Sequence, residues 1–225
     1  MSKNVIIAPS LLAADAGKLK EEVKKVENAG AEWLHLDIMD GHFVPNLSFS
    51  PHIVKALRAD SKMVFDVHLM ISEPEKYIDA FVDAGADIIT VHSEVFEGVQ
   101  KLRKVADYIH SKGVKAGVSI KPKTSFESVE AALDKFELLL IMTVEPGFGG
   151  QSYMADMEEK IRKAAEASLD KYPNLDIQVD GGIGINTIKG AAEAGANVFV
   201  AGSAVFGADN PAEVVSKLRT IATER

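Results

Sequence analysis

Eight strand-like segments, each followed by a helix-like one, and an Ala-Gly-Ala tripeptide recurring at residues 29–31, 84–86 and 194–196 predict a (β/α)8 TIM barrel. Each tripeptide falls between a helix end and a strand start, and the first spacing of 55 residues covers two strand-helix units. No composition break interrupts the 225 residues, so a single domain over 1–225 is expected. The rival architecture, an open doubly wound sheet, rarely repeats so regularly.

The elements follow in order. Val5 to Ser10 is a short apolar run, and Asp15 to Ala29 carries helical spacing at Leu19, Val23 and Val26 before Gly30 as cap. The second strand, from Trp33, alternates Leu34, Leu36 and Ile38 on one face with His35, Asp37 and Met39 on the other. Asp40-Gly41 marks a turn at its end, and a helix begins near Pro51 with proline in its first turn. Met63 to Met70 alternates Phe65, Val67 and Leu69 with Asp66, His68 and Met70. Glu73 to Ala84 is helical and closes on Gly85; Asp87 to His92, Val99 to Ser111, Lys115 to Ile120, Ser125 to Phe136 and Leu138 to Val144 continue the alternation. Ala155 to Tyr172 is a charged amphipathic helix, followed by strand Asp176 to Asp180, helix Asn186 to Ala194, strand Asn197 to Ala201 and helix Pro211 to Glu224. That makes eight of each.

Composition narrows the function. A hydrophobic fraction of 47% supplies a sizeable core, and no apolar run reaches the 18 or so residues that span a membrane. Met1 to Asn4 leads into a strand and not a signal peptide, so a soluble, cytoplasmic protein is expected. A net charge of −8 argues against nucleic acid as partner, because phosphate backbones are bound through an excess of Lys and Arg. With no cysteine, any transition metal must be held by histidines and carboxylates.

In this fold the active site lies at the C-terminal ends of the strands. Those ends carry Ser10, His35, Asp37, Asp66, His68, Thr90, His92, Lys121, Glu145 and Asp180, a polar set that is costly to bury unless paired or bound to something. His35 and Asp37, two apart on one strand, reach a common point as a shared metal requires; a half-exposed strand facing water is the other reading of that pair. Histidines 35, 68 and 92 come from neighbouring strands, and Asp180 from across the barrel.

Six stretches carry a resemblance: Ala8-Pro-Ser-Leu-Leu-Ala-Ala-Asp15, His35-Leu-Asp-Ile-Met-Asp-Gly-His-Phe-Val-Pro-Asn46, His68-Leu-Met70, Val144-Glu-Pro-Gly-Phe-Gly-Gly-Gln151, Val179-Asp-Gly-Gly-Ile183 and Ala201-Gly-Ser-Ala204. In this order they resemble the ribulose-phosphate 3-epimerase family, from about residue 5 to the last helix. The resemblance implies a divalent metal held by His35, Asp37, His68 and Asp180, and a sugar-phosphate isomerase of the pentose phosphate pathway. Two imidazoles and two carboxylates without sulfur suit Zn2+ or Fe2+ better than Mg2+, with Mn2+ and Co2+ as further options. Epimerisation beside a ketone needs a proton removed from one face and returned to the other through an enediolate. Asp37 is expected to remove the C3 proton of D-ribulose 5-phosphate and Asp180 to deliver one to the opposite face, giving D-xylulose 5-phosphate.

Met39, Met70 and Met142 occupy inward positions. They either pack adaptably in the core or, as the resemblance suggests, form a polarizable wall beside the enediolate. Gly147, Phe148, Gly149 and Gly150 after the sixth strand, Gly181 and Gly182 after the seventh, and Gly202 and Ser203 after the eighth contain no Lys or Arg. Backbone N–H groups are therefore expected to hold the phosphate there. The loop at 147–150 is a lid or an ordinary flexible loop. Ser10 either donates to a substrate hydroxyl or caps a turn. Lys121 and Glu145 depart from the family's frequent asparagines, and their opposite charges on adjacent strands predict a salt bridge. His92 and Glu94 have no assigned task beyond support of the site. A homo-oligomer is expected. The alternatives in function are a 3-epimerase of a six-carbon ketose phosphate such as allulose 6-phosphate, and a phosphosugar-binding module without catalysis. The decarboxylases and synthases of a related barrel class carry Asp-x-Lys-x-x-Asp on the third strand, where this chain has Asp66-Val67-His68.

Overall fold

The computed structural model describes residues 3–224, so Met1, Ser2 and Arg225 lie outside the described residues. Eight strands, β1 (Ile6–Pro9), β2 (Trp33–Met39), β3 (Val64–Met70), β4 (Ile88–His92), β5 (Lys115–Ile120), β6 (Leu138–Met142), β7 (Asp176–Asp180) and β8 (Val198–Ala201), form one parallel sheet. Neighbours in sequence are neighbours in space, and β1 also pairs with β8. A parallel bridge from Ser10 to His35 brings the β1 end against β2 and all but closes the barrel. In register, Asp37 lies opposite His68, His68 opposite Thr90, and Met142 opposite Asp180.

The nine helices among the described residues are α1 (Leu19–Asn28), α2 (Pro51–Arg58), α3 (Ile78–Asp83), α4 (Val99–Ser111), α5 (Glu127–Glu130), α6 (Glu158–Asp170), α7 (Ile188–Glu193), α8 (Ser203–Phe206) and α9 (Pro211–Thr223). None is long and apolar enough to cross a membrane. The repeated tripeptide has a physical cause. Gly30, Gly85 and Gly195 adopt φ of 85°, 99° and 114°, where a side chain is strained. The alanine after each glycine donates its N–H back over the last helical turn, Ala31 to Val26, Ala86 to Phe81 and Ala196 to Ala191. Each joint thus ends a helix and aims the next strand into the sheet.

Three expectations about helices need correction, the first being that from Glu73 to Ala84, which divides into a 3-10 turn at Pro74–Lys76 and α3. The expected helix from Ser125 to Phe136 is only α5 and a separate 3-10 turn at Leu133–Lys135. Three-residue hydrogen bonds, Ala132 to Val129 and Phe136 to Leu133, tighten this segment so that Val129, Leu133 and Phe136 all reach the core. The ninth helix, α8, is four residues long and too short to show a period.

Side-chain alternation splits the interior in two. Leu34, Leu36, Ile38, Phe65, Val67 and Leu69 point outward and pack under the helices in the main apolar layer. Each such aliphatic side chain stabilises the fold by about 1.5–3 kcal/mol when fully buried. Inside the barrel, Ala8, Trp33, Ile88, Leu138, Val198 and Val200 form a separate apolar plug, in which Trp33, Ile88, Leu138 and Val198 are the first residues of their strands. Above the plug the interior turns polar: His35, Asp66, His68, Thr90, His92, Ser119 and Gln178 are all fully buried.

Candidate functional site

β2 and β3 deliver the central side chains, because strict alternation sends His35 and Asp37 from one strand and Asp66 and His68 from the other to the same inner face. Asp40 at the β2 end locks the exit. Its carboxylate accepts from the backbone N–H groups of His42, Phe43 and Ser72, each at 2.8 Å, tying the β2 and β3 loops together. Ser48 folds back to receive the Met39 N–H at 2.9 Å and donates its hydroxyl to the Asp37 carbonyl.

The sequence-predicted quartet converges. Ligand atoms of His35, Asp37, His68 and Asp180 all lie within 4.8 Å of one another. His35 Nε2 stands 3.3 Å from Asp37 Oδ1 and 3.9 Å from Asp180 Oδ2, while His68 Nδ1 stands 3.1 Å from the same Asp37 oxygen. Ser10 donates to Asp37 Oδ2 at 2.6 Å, so in this structure its hydroxyl serves the carboxylate.

A cation fits this cluster on physical grounds. His35 Nδ1 is bound to Asp66 Oδ2 at 2.7 Å, which turns Nε2 toward Asp37 and Asp180; that Nε2 is buried and makes no hydrogen bond. An unmatched buried polar atom costs about 1–3 kcal/mol, a penalty that coordination to a metal removes. A carboxylate behind a ligating imidazole is the usual support of a metal site. Asp66 is itself held from across the barrel by Gln178, whose amide donates to Oδ2 at 2.6 Å. Gln178 escaped the sequence reading, although its place two residues before Asp180 puts it on the same inner face.

The two aspartates differ in protonation. Burial and the nearby Asp37 charge push Asp180 up to about 7. Burial also opposes the charge of Asp37, but His35 and His68 outweigh it and hold that carboxyl far below the usual range. Burial works against a proton on His35, yet the charges of Asp37 and Asp66 raise it well above an ordinary histidine. Cation binding there competes with protons.

A cavity of about 360 Å³ opens above the quartet. Asp37 and Asp180 reach into it, and Met39, Met70 and Met142 form part of its wall. The rim opposite β2 and β3 is backbone: Gly147, Phe148, Gly149 and Gly150 after β6, Gly181 and Gly182 after β7, and Gly202 and Ser203 after β8. A Cβ on Gly182 would meet the Tyr153 backbone nitrogen at 2.3 Å, so this loop passes too close for any side chain. The 147–150 loop is stapled and not free: Gln151 donates to the carbonyls of Glu145 and Phe148 at 2.7 and 2.9 Å, and Asn46 donates to that of Gly147 at 2.9 Å.

The salt bridge expected between Lys121 and Glu145 does not form among the described residues. The Lys121 ammonium instead sits 3.7 Å from the centroid of the Phe43 ring, and its backbone N–H donates to Glu94. His92 and Glu94 lie behind the quartet: His92 Nε2 is 2.9 Å from His68 Nε2, and His92 Nδ1 is 3.0 Å from Glu94 Oε2.

Comparison with known proteins places this geometry. The model of the Ribulose-phosphate 3 epimerase family matches residues 6–206. A protein of Synechocystis named ribulose-phosphate 3-epimerase is 47% identical over 219 residues, which is 97% of this chain and 95% of that protein. The rice ribulose-phosphate 3-epimerase, cytoplasmic isoform, is 47% identical over 95% of this chain and 92% of its own length. Among solved structures, KGPDC from Streptococcus mutans superposes with a TM-score of 0.72 over 97% of both chains at 13% identity, a likeness of fold alone.

Proposed function

The chain belongs to the ribulose-phosphate 3-epimerase family, and from that premise we propose that it interconverts D-ribulose 5-phosphate and D-xylulose 5-phosphate with two aspartates as the proton-transfer groups. The observation that carries this reading is the placement of Asp37 from β2 and Asp180 from β7, on opposite sides of one cavity yet within reach of a common point. A planar enediolate between them presents one face to each carboxylate. Asp37 takes the C3 proton, and Asp180 returns one from the other side; in the reverse direction the roles exchange. Ser10, bonded to Asp37 Oδ2, holds that carboxylate in line.

His35, Asp37, His68 and Asp180 would hold a divalent ion, Zn2+ foremost, which when bound supplies Lewis-acid stabilisation of the charge developing on the sugar. The three methionines give the reacting carbons a water-poor, polarizable boundary. The glycine rims after β7 and β8 take the phosphate through backbone N–H groups, which lets a chain of net charge −8 accept an anion. On β3 the place of the lysine used by the related decarboxylase and synthase class is filled by His68, which disfavours that chemistry.

The test is incorporation of solvent deuterium at C3 of ribulose 5-phosphate, measured beside turnover of allulose 6-phosphate. Exchange is expected with the pentulose as the faster substrate, and Asp180→Asn should stop turnover with the fold intact, bound metal being quantified in the same samples. Normal turnover in Asp180→Asn overturns the two-aspartate scheme; absence of exchange in the wild type points to a binding module. Cell fractionation and sedimentation test the expected cytoplasmic homo-oligomer.

A further inference from the structure

Behind the quartet runs a chain of side chains that the proton transfers do not use. His68 Nε2 faces His92 Nε2 at 2.9 Å, and His92 Nδ1 faces Glu94 Oε2 at 3.0 Å. The other Glu94 oxygen, Oε1, is engaged from outside, accepting the Lys121 backbone N–H at 2.7 Å and the Thr124 hydroxyl. Lys160 holds that β5 loop in place through the carbonyls of Lys121, Pro122 and Thr124 at 3.0, 2.8 and 2.6 Å. Both imidazoles are fully buried, and Phe43 packs on His92 with ring centroids 4.7 Å apart.

Each end of this chain is a carboxylate, Glu94 behind His92 and Asp37 before His68, and the two ends favour opposite directions. A carboxylate accepts and does not donate, so His92 must carry its proton on Nδ1 to meet Glu94. That leaves the His92 Nε2 lone pair facing His68, which must then carry its own proton on Nε2. The lone pair of His68 then falls on Nδ1, where the Asp37 carboxylate at 3.1 Å is a second acceptor that draws the proton the other way, so Glu94 and Asp37 compete over the tautomer until a cation takes that lone pair and removes the conflict. His35 reaches the same end more directly, with Asp66 on its Nδ1 and its Nε2 left for the cluster. The two histidines thus present opposite ring nitrogens, each favoured by a carboxylate on its far side.

We infer that Glu94 is a positioning residue which, through His92 and against the pull of Asp37, favours the His68 tautomer whose Nδ1 is free to bind a cation. This rests on the metal-binding reading above, and the experiment separates the two. In Glu94→Gln the two donors of the β5 loop retain the amide oxygen at the Oε1 position and leave the NH2 group facing His92. An amide there donates, so the whole chain reverses: His92 takes its proton on Nε2 and His68 on Nδ1, where it blocks the cluster.

Long-range proton–nitrogen NMR on 15N-histidine-labelled, metal-free protein reads these tautomers directly. The wild type should show a population with His68 protonated on Nε2 and His92 on Nδ1, which Glu94→Gln loses to the reverse assignment. Competition for Zn2+ against a chromophoric chelator should show the variant binding about 10–100-fold more weakly, the usual effect of losing a partner behind a ligand. His68 protonated wholly on Nδ1 in the wild type overturns the inference without any variant. So does Glu94→Gln with unchanged tautomers, or with a Zn2+ affinity within twofold of wild type. Failure of the wild type to bind Zn2+ at all overturns the metal centre, and with it the role of Glu94 toward a cation, even where the tautomers come out as expected.

Discussion

The two halves of the barrel mouth are built by different means. On the β1–β4 side the work falls to side chains: His35, Asp37, His68 and His92 are buried, and each is held by a further polar group. On the β6–β8 side it falls to backbone, with glycines at 147, 150, 181 and 182 all at positive φ and Asp180 as the one side chain of the quartet. A cation cage needs fixed donor atoms and so demands burial and a second layer of partners. An anion cradle needs N–H groups that a Cβ would obstruct, and so demands glycine.

The largest effect should come where the two halves touch the reacting carbon. Asp37→Asn and Asp180→Asn are each expected to lower kcat by about 10²–10⁴-fold or more, the range set by losing a positioned acid or base. Asp37→Asn should also weaken metal binding, because its carboxylate is one of the four groups whose ligand atoms converge. Steady-state rates with metal content measured in parallel check both.

Next in size, the backbone half is broken by Gly182→Ala. The added carbon would sit 2.3 Å from the Tyr153 nitrogen at a φ of 66°, so the loop must shift. A stability loss of roughly 1–3 kcal/mol is expected from the strain, with KM for the phosphosugar rising more than kcat falls. Denaturant titration and a KM–kcat comparison read it; an unchanged KM would take the phosphate away from this loop.

A pH experiment sharpens the contrast on the side-chain half. Burial opposes the charge of Glu94, but its bonds to His92, Lys121 and Thr124 prevail and bring its carboxyl to about 2, below the usual 4.5. A lowered carboxyl contributes stability that is fully present above its unfolded value and is lost as pH falls through the folded one. The stability gap between wild type and Glu94→Gln, followed by urea titration, should therefore be open at neutral pH and close between about 4.5 and 2. The smallest effect belongs to the stapled β6 loop. Gln151→Ala removes two exposed side-chain bonds worth about 0.5–1.5 kcal/mol each at most. Faster amide exchange at 147–150 is expected, with the melting temperature nearly unmoved.

Much of this molecule is legible in the chain itself. Alternation along β2 and β3 placed His35, Asp37, His68 and both methionines on the inner face, and the structure keeps them there. The Ala-Gly-Ala repeat located three helix-strand joints because each needs a left-handed residue at the same place. These are local demands, met within a few residues of one another, and local demands leave a pattern.

Partnerships across the barrel leave no such pattern. Nothing in the spacing joins Gln178 to Asp66, sends the Lys121 ammonium to Phe43 and away from Glu145, or sets Glu94 behind His92 behind His68. Sequence by itself determined the barrel and the inward set, because periodicity and residue chemistry are properties of short stretches. Which ring nitrogen faces the cluster, and which carboxylate decides it, came only with tertiary structure, because strand tilt and barrel closure choose the neighbours that complete each hydrogen bond.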